Sequence, residues 1–452
     1  MFRPALLLTL SYLLTACAPT PWQRPDATLP KQWQTETSSQ PPLTSTDWWQ
    51  GFGDPTLLQL LQTVRRDNPD LAASAQRIRK AMLEAGVSAR DAYPSFTASL
   101  NRNASRTLGE EDKQWQRQYQ SSIGVSYVVD LWGKLDAAQR AGSLEWQATE
   151  ADHRALQLTL DRQVAERYWD IAAARTKLAY LEQSRQYQQR VVQLLEQQQR
   201  WGAIAPQDRL QAEQLLLKYQ QERLGQEQDL ASHYNALALL ANQPPGSFHP
   251  DIAPLPLQSA LPTVQAGLPS SLLNRRPDLL AAEQRVRALL ANVDERKRAF
   301  YPVLTLTGDL NGSSPELRHV LRNPLATLGA GLVLPFLQWP TLQLQQQASE
   351  AEYEEAIILL RKRWYTAFQE VDDALSNQQQ LGEQIRLQQQ IVQRQQQQER
   401  IAEQRYRAGA VALKEWLAAS EARRQGELEW LDLQLERLKS LSQLYAALGG
   451  GY

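Results

Sequence analysis

The chain has 452 residues, 48 basic and 49 acidic side chains and a formal net charge of −1. That balance excludes the basic excess of a nucleic-acid binder, and a hydrophobic content of 42% excludes a disordered chain. One cysteine, Cys17, and four scattered histidines (His153, His233, His249, His319) leave no disulfide framework and no Cys/His metal spacing, so neither a metal nor a cofactor is expected.

The first element is a leader. Arg3 is a short positive region and Ala5 to Ala16 an apolar stretch, too short to span a bilayer but suited to a signal peptide. Leu14-Thr15-Ala16-Cys17 follows and resembles a bacterial lipobox, with small residues beside a thiol that is to carry lipid. Residues 1–16 therefore read as a lipoprotein signal peptide, and Cys17 as the lipidated start of an N-terminal segment, 17–56. Ala18 rather than Asp after it implies sorting to the outer membrane.

Beyond residue 56 the chain repeats itself. Asn68-Pro69-Asp70-Leu71 returns as Arg276-Pro277-Asp278-Leu279, Gln76-Arg77-Ile78-Arg79 as Gln284-Arg285-Val286-Arg287, and Tyr93-Pro94 as Tyr301-Pro302, all at an offset of 208. Arg200-Trp201-Gly202-Ala203 returns as Arg407-Ala408-Gly409-Ala410 at an offset of 207. Constant spacing over the whole length means tandem duplication: repeats at 57–243 and 270–452, with a proline-rich linker, 244–269, between them.

Each repeat has the same predicted order. A helix opens it, Leu57 to about Ala92 and Asp278 to Phe300, each stopped by the Tyr-Pro step because the residue before proline avoids the helical region. Two strands follow: Ser95–Ser105 with Gln120–Val129, and Val303–Leu310 with Leu325–Phe336. Their alternation of apolar with Ser, Thr and Gly is the pattern of membrane barrel strands. Then come helices of some 65 residues, Leu135 to Arg200 and Thr341 to Ala408, roughly 100 Å each at 1.5 Å per residue. Shorter helices close each repeat, Asp208–Ala241 and Ala412–Leu448. Leu360, Trp364, Phe368, Val371, Leu375, Leu381 and Ile385 recur in threes and fours, a coiled-coil seam. The glutamine tracts around 197–199, 388–390 and 395–398 read as solvated helix faces.

Four membrane strands per chain cannot close. An open sheet in hydrocarbon leaves its edge groups unpaired, at several kcal/mol each, so two or more chains must combine. The fold class expected is therefore an α+β membrane protein, an internally duplicated chain whose strands join a shared β-barrel continued by long helices.

The run from Arg275 to Val286 with Phe300-Tyr301-Pro302 closely resembles the outer-membrane efflux (TolC-like) family, lipoprotein branch. So do Trp48-Trp49-Gln50-Gly51-Phe52-Gly53-Asp54-Pro55, Asp130-Leu131-Trp132-Gly133-Lys134 and Arg405-Tyr406-Arg407-Ala408-Gly409. The resemblance implies a homotrimer with a twelve-stranded barrel and a periplasmic α-helical coiled-coil tunnel, in the outer membrane of a Gram-negative bacterium. It implies the exit duct of a tripartite efflux pump, without enzymatic activity, coupled to a periplasmic adaptor and an inner-membrane transporter. Two departures stand out: Phe336-Leu337-Gln338-Trp339-Pro340 replaces a Phe-Asp-Gly-Gly-Arg-like junction, and Leu417-Ala418-Ala419 lacks the usual aspartate. The alternative is an adaptor lipoprotein, which shares the lipobox and a helical hairpin but has no reason for a 208-residue duplication. A lipid-anchored enzyme lacks any constellation of acid, base and nucleophile here.

By the same resemblance, the turns at Gly202, Ala203, Gly409 and Ala410 form the tunnel tip that docks the adaptor. The periplasmic gate falls on Asp208, Arg405, Tyr406, Arg407 and Glu415. For Asp208 and Glu415 the competing role is to favour a helix N-terminus through its dipole. Tyr93, Trp132, Tyr301 and Trp339, at the helix–strand junctions, are candidates for an aromatic girdle or for packing of helix ends. With only Met1 and Met82, a thioether path for Cu(I) is not expected.

Overall fold

In the computed structural model, residues 19–35, 48–106, 115–255, 261–262, 267 and 269–450 are described. The leader and Cys17 lie outside them. Helices α1 (Pro55–Asp67) and α2 (Pro69–Arg90) come first. Strands β1 (Ser95–Ser105) and β2 (Gln116–Val129) follow, then α3 (Lys134–Arg200) and α4 (Pro206–Leu240). After a single turn at Pro269–Leu272, the second repeat runs α5 (Pro277–Arg298), β3 (Val303–Ser314), β4 (Leu325–Val333), α6 (Trp339–Arg407) and α7 (Leu413–Ala447). The long helices number 67 and 69 residues and the closing helices 35 each.

The single helix expected from Leu57 to Ala92 is two. Pro69 forces Asn68 out of the helical region (ψ 127°), and the break is stabilised. The buried Asn68 side chain accepts from the backbone N–H groups of Asp70 and Leu71 and donates to the Leu240 carbonyl at 2.9 Å. Likewise β4 stops at Val333 rather than Phe336, because Pro335 opens a short 3₁₀ turn that leads into α6.

Contacts divide the chain into two compact units, each built from both repeats. The first, Met1–Ala27, Ala75–Asp152 and Asp278–Arg363, holds the sheet. Its strands run in the order β1-β2-β3-β4, every pair antiparallel. At the base of the sheet, Gly133 turns with φ +73° and its carbonyl accepts from the Arg298 guanidinium at 2.6 Å. The Asp130 carboxylate accepts from the Asp136 N–H, steadying the start of α3. Arg285 joins Glu145 and Asp152, and so ties α5 to α3. Thr20 bonds Asp294 through both its N–H and its hydroxyl, fixing the N-terminal segment to α5.

The second unit, Thr28–Ser74, His153–Pro277 and Trp364–Tyr452, is helical. Its main core gathers Leu57, Leu61 and Val64 of α1 with Val164, Trp169 and Ile171 of α3, Leu237 of α4 and Leu438 of α7. Trp48 stacks on Tyr445 at 4.1 Å between ring centroids. Asp54 caps α1 by accepting from the N–H groups of Thr56 and Leu57, and its second oxygen accepts from the buried Tyr168 hydroxyl. The linker contributes Ile252 and Leu255 to this core. All seven residues of the predicted seam, Leu360 to Ile385, are buried.

Candidate functional site

The two reversals at one end of the helical unit share one design. After α3, Gly202 adopts φ +73°; its N–H bonds the Gln199 carbonyl at 2.9 Å, and the Ala203 N–H bonds the Gln198 carbonyl at 2.9 Å. After α6, Gly409 has φ +72°, with Gly409 bonded to Tyr406 (2.9 Å) and Ala410 to Arg405 (2.8 Å). Both are Schellman caps, in which glycine supplies the left-handed conformation that ends a helix. A Cβ at either glycine would meet nothing within 4 Å, so conformation, not space, demands them. A small apolar cluster joins the two: Val191, Val192 and Leu195 of α3, Ala212 of α4, and Leu413, Trp416 and Leu417 of α7. Tyr406 lies against it, stacked on Trp416 at 5.2 Å, with its hydroxyl donating to Gln198 at 3.3 Å.

Asp208 and Glu415 occupy equivalent positions, the third residue of α4 and of α7. Their N–H groups bond the carbonyls of Ala205 and Ala412 (3.1 and 3.0 Å), cap residues that make no side-chain cap bond. Each carboxylate therefore sits where the helix dipole favours it. Burial, and then the Asp208 charge, push the Tyr406 phenol above its ordinary value. Arg407 pairs with Glu403 one turn back at 2.6 Å, so within the chain it bridges neither Asp208 nor Glu415. Arg405 and Glu415 stand exposed.

Farther along α4 and α7 lies a polar cluster that the sequence reading missed. Buried Arg424 bonds Glu421 twice at 2.8 Å, reaches Glu222 at 2.9 Å and lies 4.7 Å above the Tyr219 ring. Tyr219 and Lys218 both donate to Glu421 (2.9 and 2.7 Å). Burial raises the Glu421 carboxyl, but the bonds from Arg424 and Lys218 outweigh it and hold the group at about 2. The Glu421–Arg424 spacing of three, facing Lys218 and Glu222 at a spacing of four, was the available signal. Glutamines behave similarly. Gln388 is buried and donates to the Gly426 carbonyl and to Glu429, and Gln188 donates to the Ala212 carbonyl. Gln388 and Gln188 thus bridge helices, while Gln197, Gln389, Gln390, Gln397 and Gln398 of the tracts stand exposed as expected.

The register sorts the sheet into two faces. Phe96, Leu100, Ile123, Val125, Leu306 and Leu328 lie on one. Thr97, Ser99, Gln120, Ser122, Thr307 and Thr327 lie on the other. The apolar side chains stand out to solvent, with Phe96 78% and Leu328 90% exposed, on the scale of a surface meant for lipid. At the junctions, Trp132 stacks on Tyr301 (4.9 Å) and donates to the Pro302 carbonyl, and Trp339 sits edge-on to Phe300. Tyr93 and Trp339 are more than half exposed. Trp132 and Tyr301 thus pack on each other at one junction, Trp339 packs on Phe300 at another, and Tyr301, Tyr93 and Trp339 all keep exposed surface.

A family model described as outer membrane efflux protein matches residues 60–243 and 268–450, one span on each repeat. The chain belongs to the outer membrane efflux protein family. It is 32% identical to the pyoverdine export outer membrane protein OpmQ of Pseudomonas putida, over all of this chain and 98% of that one. It is 28% identical to the probable outer membrane lipoprotein SilC of Salmonella typhimurium over the full length of both. The Campylobacter jejuni CmeC outer membrane channel, 19% identical, has the same fold (TM-score 0.88, covering 96% of this chain and 95% of that one). The protein is an outer-membrane efflux channel, and the adaptor alternative falls: both repeats match the channel family and the strands form one barrel-type sheet.

Proposed function

We infer that three copies of this chain close a twelve-stranded barrel and conduct cargo passively from the periplasm to the exterior. The observation that carries this reading is the four-stranded sheet, apolar on one face and polar on the other, whose β1 and β4 edges have no partner among the described residues. Hydrocarbon tolerates only closed sheets. Eight strands from two copies would fill their own interior with side chains, whereas twelve leave a bore. The duct performs no chemistry, and its driving force comes from an inner-membrane transporter reached through a periplasmic adaptor.

The adaptor meets the turns at Gly202-Ala203 and Gly409-Ala410, where small residues on rigid caps let another backbone approach closely. The gate lies beside them. Asp208 and Glu415, repeated threefold about the axis, form a carboxylate ring that favours cations. Tyr406 braces the ring from behind, and Arg405 and Arg407 supply weak exposed links between neighbours that docking can break. Cys17 carries the lipid that holds the N-terminus at the membrane. Thr20, three residues on, is fastened to α5 of the unit that contains the strands.

Native mass spectrometry of the purified protein tests assembly, with three copies expected; a stable monomer or dimer defeats the reading. Docking is tested with Gly409→Asn, which tolerates the left-handed conformation, and Gly409→Asp, which adds a charge. Trimers should persist in both, with efflux kept by Asn and lost by Asp. Full efflux by the Asp variant would remove the turn from the docking surface.

A further inference from the structure

The apolar face of the sheet is not apolar throughout. Arg102 on β1 and Arg117 on β2 project from it, since Arg102 pairs with Tyr119 and Ala104 with Arg117 in the register that puts Leu100 and Ile123 on this side. The two arginines are diagonal neighbours, roughly 7–8 Å apart at the backbone, and both are exposed. Arg102 lies 6.0 Å over the Tyr119 ring. No carboxylate shares this face among the described strand residues. Glu316, the one carboxylate in the β3–β4 connection, is engaged by Arg318 and His319.

Depth fixes what these cations meet. Ten residue steps separate Val129, at the helix end of β2, from Tyr119; at about 3.3 Å per step and a tilt near 40°, they span about 25 Å, the height of an outer-membrane apolar band. Tyr119 and the two arginines therefore stand at the headgroup level farthest from the helices. Directly beneath them is a groove of about 310 Å³, mainly apolar, lined by Leu100, Ser121, Ile123 and Leu310 of this face and closed by Leu321 and Pro324 of the β3–β4 connection. The connection is folded tightly onto the face: a Cβ at Gly312 would come within 2.0 Å of the Val320 carbonyl oxygen.

We propose that this outward corner of the barrel binds a phosphorylated lipid of the outer leaflet, with its phosphate on Arg102 and Arg117 and an acyl chain in the groove below. Guanidinium forks match phosphate oxygens two at a time, and both Arg102 and Arg117 are exposed on this face with the apolar groove just below them. The inference rests on the outer-membrane barrel reading above.

The test uses the full-length protein in detergent and native mass spectrometry with three probes: bisphosphorylated lipid A, the same lipid with its phosphates removed, and inorganic phosphate. The wild-type protein should retain the phosphorylated lipid at least about tenfold better than the dephosphorylated one, and Arg102→Gln/Arg117→Gln should erase that preference. Equal retention of both lipids by the wild type overturns the proposal and needs no variant to fold. An unchanged preference in the double variant overturns it too. Inorganic phosphate binding as tightly as the lipid reduces the site to a free-anion site and defeats the lipid assignment. A protein that forms trimers and exports normally but shows no preference loses this inference alone; one that forms no closed oligomer loses the barrel reading itself.

Discussion

At the scale of single residues, the helical unit depends on a few charged side chains held far from their ordinary behaviour. Glu421 is the clearest. Its carboxyl sits at about 2 in the fold against an ordinary 4.5, a depressed value, so its contribution to stability is complete above about 4.5 and is lost as pH falls toward 2. Hydrogen exchange along α4 and α7 should accelerate over that window in the wild type. In Glu421→Gln the exchange should be faster at neutral pH and nearly flat with acid; an unchanged acid profile would place the pH-sensitive contact elsewhere. This cluster was hidden from the sequence because Glu421 and Arg424 resemble any exposed helix pair until Tyr219, Lys218 and Glu222 of another helix surround them. Pro94 and Pro302 were legible, since each acts on the residues just before it and a helix stops there.

At the scale of elements, periodicity carried most of the information and proline carried the corrections. The duplicated order of hairpin, long helix and closing helix was readable because each element is long enough to repeat its pattern many times. The α1–α2 break was not, because the amphipathic pattern runs on through Asn68 while the backbone does not. That break has a measurable cost of removal. Asn68→Ala deletes the cap of α2 and leaves the Leu240 carbonyl without its donor, and should destabilise the helical unit by about 2 kcal/mol. Denaturant unfolding followed by helical circular dichroism measures it; a loss under about 0.5 kcal/mol, the size of an ordinary surface change, would mean that water replaces the side chain. The faces of the strands were legible from alternation alone, but their depth was not. It took the register to show that Arg102 and Arg117 share the lipid side.

At the scale of the whole molecule, the sequence made the need for several copies plain: four strands with two open edges demand partners. The number three came from family resemblance, because edge chemistry is the same for any closed ring. On the proposed reading, membrane attachment has two independent sources, the barrel and a lipid on Cys17, which separate cleanly. Cys17→Ser should abolish the acylated N-terminal peptide in mass spectrometry while trimers still enter the membrane. An unmodified Cys17 in the wild type would leave the barrel as the only anchor, and loss of trimers in the variant would show that lipid guides assembly.

The polar face of the sheet has one more consequence. Its residues are small or neutral, Thr97, Ser122, Gly124, Thr307 and Gly329 among them, and Asp309 is the sole charge it carries in the described strands. Such a wall offers hydroxyl and amide groups that bond water and polar solutes alike, and among the described strands only one fixed charge by which ions could be told apart. In the proposed duct, discrimination then falls to the carboxylate ring at the periplasmic end and to the transporter upstream, so a change of cargo need not alter a residue of the barrel wall.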